Sequence, residues 1–266
     1  MKSVNFKEPQ IALVVATVLL VIVILFYCIA SMVTSIGYQT YLEAENYAKQ
    51  VDAAAKMPFL TVILDAGHGG EDPGTIANGV TEKDLNLAVT QKVADFLSLS
   101  GCRVILTRTT DRMLYNSGEE DKKKAFDLYN RVKIAKQYEN QNENVLFVSI
   151  HMNSYPSEIC HGLQTFYKAG REDERQLAGL LQETAKMLLP GNTRVEKADD
   201  RDLYILQNSP VTTVLVECGF LTNREEAEHL SDENYQKKLA FCLCQGIIKC
   251  TEDLQHEDEL HLQSMR

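Results

Sequence analysis

Leu60-Thr61-Val62-Ile63-Leu64 runs directly into Asp65-Ala66-Gly67-His68-Gly69-Gly70. An apolar run of this length, ending in a glycine-rich turn, reads as a buried strand of an α/β sheet with a loop at its carboxyl end. The pattern recurs twice. Val145-Leu146-Phe147-Val148-Ser149-Ile150 leads into His151-Met152-Asn153-Ser154, and Val214-Leu215-Val216 into Glu217-Cys218-Gly219-Phe220. In such sheets ligands bind beyond the carboxyl ends of the strands. Those ends carry His68, His151 and Glu217, and Glu82 opens the helix after the first loop. Two histidines and two glutamates converging there meet the needs of a catalytic zinc site: three protein ligands, an open position for water, and a carboxylate to take its proton.

Each residue alone has an ordinary reading. His68 could be a structural turn histidine, and His151 a satisfied core histidine. Glu82 could merely face a helix dipole, and Glu217 could pair with Arg108 or Arg201. Asp65 and Asp72 flank His68 as candidates for orienting its imidazole or for capping the loop. Only the set of four favours the chemical reading, because a carboxylate at the end of an apolar strand is costly to bury without a partner.

The composition narrows the class. A formal net charge of −10, from 27 Lys+Arg and 37 Asp+Glu, provides no electrostatic footprint for nucleic acid. Residues 11 to 30 are apolar apart from Thr17 and Tyr27, and no charge falls between Glu8 and Glu43. That length suffices to cross a bilayer, and Lys2 and Lys7 before it predict a cytoplasmic N-terminus. The expectation is an uncleaved membrane anchor rather than a signal peptide, with the remainder extracytoplasmic. The seven cysteines are scattered and form no C-x-x-C pair, so they read as mostly buried free thiols rather than a disulfide framework or a zinc-thiolate site.

Along the chain, the expected units are a cytoplasmic N-terminus (1–10), a transmembrane anchor (11–36), a linker or helical stalk (37–58), a catalytic domain (59–250) and a disordered acidic tail (251–266). Helices are expected over Glu82 to Ser98, with Thr81 as N-cap, to about Tyr138, over 173 to 189, and near Arg224 to Leu230 and Asn234 to Cys250. Strands are expected at Arg103 to Leu106, Leu163 to Tyr167, Leu203 to Leu206 and Val211 to Val216. Such alternation predicts a single three-layer α/β domain with a mostly parallel twisted sheet flanked by helices.

The separated motifs, in order, resemble the zinc-dependent N-acetylmuramoyl-L-alanine amidases of the bacterial cell wall. The resemblance lies in Ile63 to Gly74, Thr81 to Ala88, Leu106-Thr107-Arg108, Asn130-Arg131-Val132, Ser149 to Asn153 and Leu215 to Asn223. It implies that His68, Glu82 and His151 bind Zn2+, that Glu217 is the catalytic carboxylate, and that the substrate is peptidoglycan, cut between N-acetylmuramic acid and L-alanine. Asn153 and Arg108 are candidates for substrate binding. Asp65-Ala66-Gly67 departs from the family pattern, which has a proline before the glycine, and this should affect loop stiffness rather than chemistry. The compact domain, the anchor, the segment from Asp111 to Arg131 and Gly162 to Tyr167 are most similar to sporulation-specific members that act on spore-cortex peptidoglycan and help make muramic δ-lactam. Such a role would place the domain in the forespore intermembrane space, and a protein partner could be needed for activity. Two competing readings are a non-catalytic envelope scaffold and a zinc hydrolase of another wall bond.

Overall fold

The computed structural model describes residues 60–139 and 144–264, together with Ile24, Leu25, Ser31 and Met32, which are helical. Residues 57–266 form one compact unit, and residues 1–56 another. Within the larger unit the strands are β1 (Thr61–Ala66), β2 (Ile76–Ala77), β3 (Val80–Thr81), β4 (Arg103–Leu106), β5 (Val145–Asn153), β6 (Gln164–Tyr167), β7 (Lys197–Ala198) and β8 (Thr212–Phe220). The helices are α1 (Glu82–Leu99), α2 (Lys123–Lys136), α3 (Glu172–Leu188), α4 (Tyr204–Asn208), α5 (Arg224–Ser231) and α6 (Glu233–Ser264).

Six strands form one sheet in the order β4-β1-β5-β8-β6-β7, and only the β6–β8 pair is antiparallel. Alternate side chains divide between two faces. Val62, Leu64, Leu146, Val148, Ile150, Val214 and Val216 point into a large core with Val89, Val93 and Leu97 of α1, Leu177 and Leu181 of α3, and Leu239, Leu243 and Ile247 of α6. Ile63 and Phe147 point the other way, onto Val132 and Ala135 of α2 and Ile205 of α4. Complete burial of each Leu or Val contributes roughly 1.5–3 kcal/mol, so the three-helix face carries most of the stability. The opposite face has one helix and a single turn, which leaves room at the carboxyl ends of β1, β5 and β8.

Several expectations require correction. Leu203 to Leu206 is not a strand: its apolar residues enter α4, where Ile205 and Leu206 are buried. Thr81 occupies the cap position of α1 without a side-chain cap bond. The first amides are capped by the preceding loop instead, Glu82 N donating to Thr75 O at 2.9 Å and Lys83 N to Pro73 O at 3.1 Å. The backbone of the tail is helical as far as Ser264, because its Glu, Leu and Gln favour helix even without a core pattern. Among the described residues no helix is long and apolar enough to cross a membrane. The expected anchor and linker lie outside the described residues, apart from the four named above. Cys218, Cys242 and Cys244 are buried free thiols.

Candidate metal centre

The sheet register brings the site together. Ala66, the last residue of β1, pairs with Ile150 of β5, which pairs with Val216 of β8, so the residues just beyond this level on all three strands lie side by side. His68 follows β1, His151 and Glu217 are direct partners on β5 and β8, and α1 begins at Glu82. A ligand nitrogen from each of His68 and His151 and a carboxylate oxygen of Glu82 all lie within 4.8 Å of one another. His68 Nε2 is 3.1 Å, and His151 Nδ1 3.0 Å, from Glu82 Oε1.

Two of the three ligands, His68 and Glu82, are oriented from behind. His68 Nδ1 is 2.9 Å from Asp72 Oδ2, which directs Nε2 into the cluster. Asp65, the other candidate for that task, does not touch the imidazole. Glu82 Oε2 accepts from Thr75 N at 2.8 Å, and Oε1 accepts from Met152 N at 3.2 Å and from Asn86 Nδ2 at 3.3 Å. Burial opposes ionisation of Glu82, but the hydrogen bonds from His151 and His68 hold its carboxyl far below the ordinary range. It is therefore charged, as a metal ligand must be. Gly67 is required by close approach, since a Cβ there would lie 2.2 Å from His151 Cε1.

His68 itself lies in the left-handed region, at φ 59°, a conformation that costs a non-glycine residue of order 1–3 kcal/mol. Two arginines hold it there. Arg131 donates to Ala66 O at 2.7 Å and to His68 O at 2.6 Å, and Arg108 donates to Ala66 O at 2.8 Å and Gly67 O at 3.0 Å. The loop that lacks the family's proline is thus stiffened by side chains. Arg108 is only 1% exposed and uses two further donors on Lys83 O and Thr110 O. It is a scaffold residue, and its expected role in substrate binding is corrected accordingly. Arg131 also reaches Asp65 Oδ1 at 2.6 Å, and Asp65 accepts from Thr107 and Ser149. Asp127, which pairs with Arg131 Nε at 2.8 Å, completes this support. Arg131, Asp127 and Asn86 fall within the stretches that carry the resemblance, but none of the three is a site candidate from sequence.

Glu217 is 7% exposed. Burial raises its pKa, against the pull of His151 and Arg201. Oε1 accepts from Arg201 Nη1 at 3.4 Å, whereas Oε2 is buried with no protein partner. The four residues line a cleft of about 480 Å³, whose other wall includes Leu128, Leu203 and Ile205. Asn153 lines it too, its Oδ1 accepting from Ser154 N. Paired imidazoles and a carboxylate suit zinc, and the unpartnered Oε2 of Glu217 is what a proton-transfer group beside such a centre requires.

Comparison with known proteins agrees with this geometry. Residues 62–249 match the family model described as N-acetylmuramoyl-L-alanine amidase. The germination-specific N-acetylmuramoyl-L-alanine amidase of Bacillus subtilis is 36% identical over 190 residues, 71% of this chain and 78% of the relative. The CwlD amidase of Clostridioides difficile, solved in complex with the GerS lipoprotein, has a TM-score of 0.65 and 40% identity, covering 72% of this chain and 98% of that one. The amidase AmiC2 of Nostoc punctiforme has a TM-score of 0.60 and 31% identity, covering 71% and 96%. From its matched residues and the relatives that share them, the chain belongs to the N-acetylmuramoyl-L-alanine amidase family.

Proposed function

We propose that this amidase is zinc-dependent, with His68, Glu82 and His151 holding the ion, and that it hydrolyses the bond between the lactyl group of N-acetylmuramic acid and L-alanine. The observation that carries the reading is the convergence of those three donor groups beside a buried carboxylate oxygen with no protein partner. Bound there, zinc would supply Lewis acidity toward water and the scissile carbonyl. Glu217 takes a proton from the attacking water through Oε2 and returns one to the departing amine of alanine. Arg201, on Oε1, fixes the carboxylate's orientation and leaves the other oxygen for that transfer. Burial in the cleft wall raises the affinity of Glu217 for a proton and brings its base strength closer to working pH.

The biological setting we infer draws support from these relatives and from the N-terminal sequence. A germination-specific amidase among them supports a role in germination, and the reading extends this to spore-cortex peptidoglycan and muramic δ-lactam formation. A relative captured with a lipoprotein supports an activating protein partner. The apolar N-terminal stretch supports a membrane anchor with the catalytic unit extracytoplasmic, in the forespore intermembrane space. The test is mass spectrometry of digested peptidoglycan. An amidase releases stem peptides with a free L-alanine amine and leaves glycan strands intact, whereas cleavage within the peptide or loss of acetate would exclude this reading.

A further inference from the structure

Beside the metal cleft lies a second groove, of about 530 Å³, which shares Asn153, Ser154 and Arg201 with it. Two of its cations are stacked on rings that also line it. The guanidinium carbon of Arg201 lies 4.2 Å from the centre of the Phe166 ring, and that of Arg194 lies 4.5 Å from the centre of the Phe220 ring. Hydrogen bonds fix both further. Arg194 Nε donates to His161 O at 2.5 Å and Nη1 to Gln164 Oε1 at 3.0 Å. Arg201 reaches Glu217 and Asp199. Among the described residues Arg194 makes no salt bridge, although Glu226 lies close enough to feel its charge, and Asp200 also lines the groove.

The sheet register gives the spacing. Glu217 is opposite His151 on one side and opposite Gln164 on the other. The three therefore stand in a row on one face, about 4.8 Å apart from strand to strand, and Arg194 is bonded to the far member. In the proposed substrate L-alanine is followed by a glutamate linked through its side chain. Its α-carboxyl is free in some walls and a carboxamide in others. Two residues of extended chain span ~7 Å, which exceeds one strand spacing and so carries that group from a scissile amide near Glu217 past the position of Gln164, to whose side chain Arg194 is bonded.

We propose that the groove between Arg194 and Arg201 is the subsite for this free carboxylate, and that it selects unamidated over amidated stem peptides. The proposal rests on the amidase reading. A guanidinium presents only donors, so it pairs with a carboxylate but meets the NH2 of a carboxamide donor to donor. Stacking on an aromatic face leaves the N–H edge oriented before substrate arrives.

The test uses purified full-length, zinc-loaded protein and two synthetic muramyl peptides that differ only in bearing the α-carboxylate or the α-carboxamide. The wild type should favour the carboxylate in kcat/KM by roughly tenfold or more, the size expected of a hydrogen bond to a charged group. Arg194→Gln should bring the ratio close to one. Arg194→Lys should keep part of it, since it retains the charge but loses the stacked fork. A wild type without preference overturns the proposal. So does an Arg194→Gln variant that keeps the wild-type ratio or slows both substrates equally, the result expected of a purely structural residue. Failure on both peptides by a wild type that still cleaves whole peptidoglycan overturns the subsite alone, whereas failure on whole peptidoglycan as well, with a lipoprotein partner added, overturns the amidase reading.

Discussion

His151 and Glu217 are direct partners across β5 and β8, so a candidate metal ligand and a candidate base are held apart by nothing more adjustable than the spacing of two hydrogen-bonded strands. Both side chains project from the same face, and the strands that carry them are buried almost throughout. The separation of metal and base is therefore a property of the sheet, not of a loop.

Glu217→Gln keeps this geometry and removes the base. Turnover should fall by about 10²–10⁴-fold, the usual contribution of a positioned acid–base group, while zinc content stays near wild type. The melting temperature should hold or rise, because a buried charge is removed. Turnover and metal analysis on the same preparation check both halves. A Glu217→Gln protein that has lost its zinc would show that Glu217 is a ligand.

His68→Ala and His151→Ala should each remove most of the bound zinc, about one ion per chain in the wild type. Glu82→Gln should weaken the site less completely, with activity partly restored by excess zinc. Gly67→Ala should resemble the histidine variants despite changing no ligand, since its methyl group would occupy the place of the His151 ring. Full zinc occupancy in Gly67→Ala would contradict the packing described here.

Asp65→Asn should destabilise the fold by about 3–5 kcal/mol, because it leaves Arg131 short of a buried partner. The pH dependence has a definite sign. Burial opposes the charge, but Arg131, Ser149 and Thr107 hold the carboxyl of Asp65 below its ordinary range. The stabilisation is present above the unfolded pKa, near 4, and is lost as pH falls through the folded value. Chemical denaturation from pH 7 to pH 3 should show wild type losing stability faster than Asp65→Asn, and parallel curves would refute the assignment.

The proposed anchor is checked by producing the full-length chain in non-sporulating cells, which are then stripped of their wall and kept sealed. Protease added from outside should digest the protein from residue 60 onward, and the full-length chain should sediment with membranes. Intact, protected protein would reverse the proposed topology.

The strands bearing the site were legible because their burial on two faces demands unbroken apolar runs, and the glycines after β1 mark a sharp turn. Glu82 was legible from its place at a helix start. What the sequence could not show was which polar groups serve the ligands. Asp65 and Asp72 both flank His68, and only the fold turns Asp65 away toward Arg131. Arg131 reaches the His68 loop across more than sixty positions of sequence, and Arg108 looks like a cleft residue until its donors are found facing main-chain oxygens. Leu203 to Leu206 was misread because four residues, mostly apolar, are too few to separate a strand from one turn of helix. In the structure Leu206 packs with Leu203 against Phe166 and Leu215, while Ile205 turns to Ile63 and Phe147, a division that one turn of helix provides.

The unequal covering of the sheet divides labour within the molecule. Because α1, α3 and α6 cement one side, the side that meets peptidoglycan is free of most of the duty of holding the chain together. Hydrogen exchange should register this as slow amides along α1, α3 and the packed half of α6, and faster ones in α2 and α4. A catalyst that must fasten onto a polymer fixed in a wall cannot engulf its target. Here the reactive face is exposed in the way a tool's working edge is, with its backing on the far side.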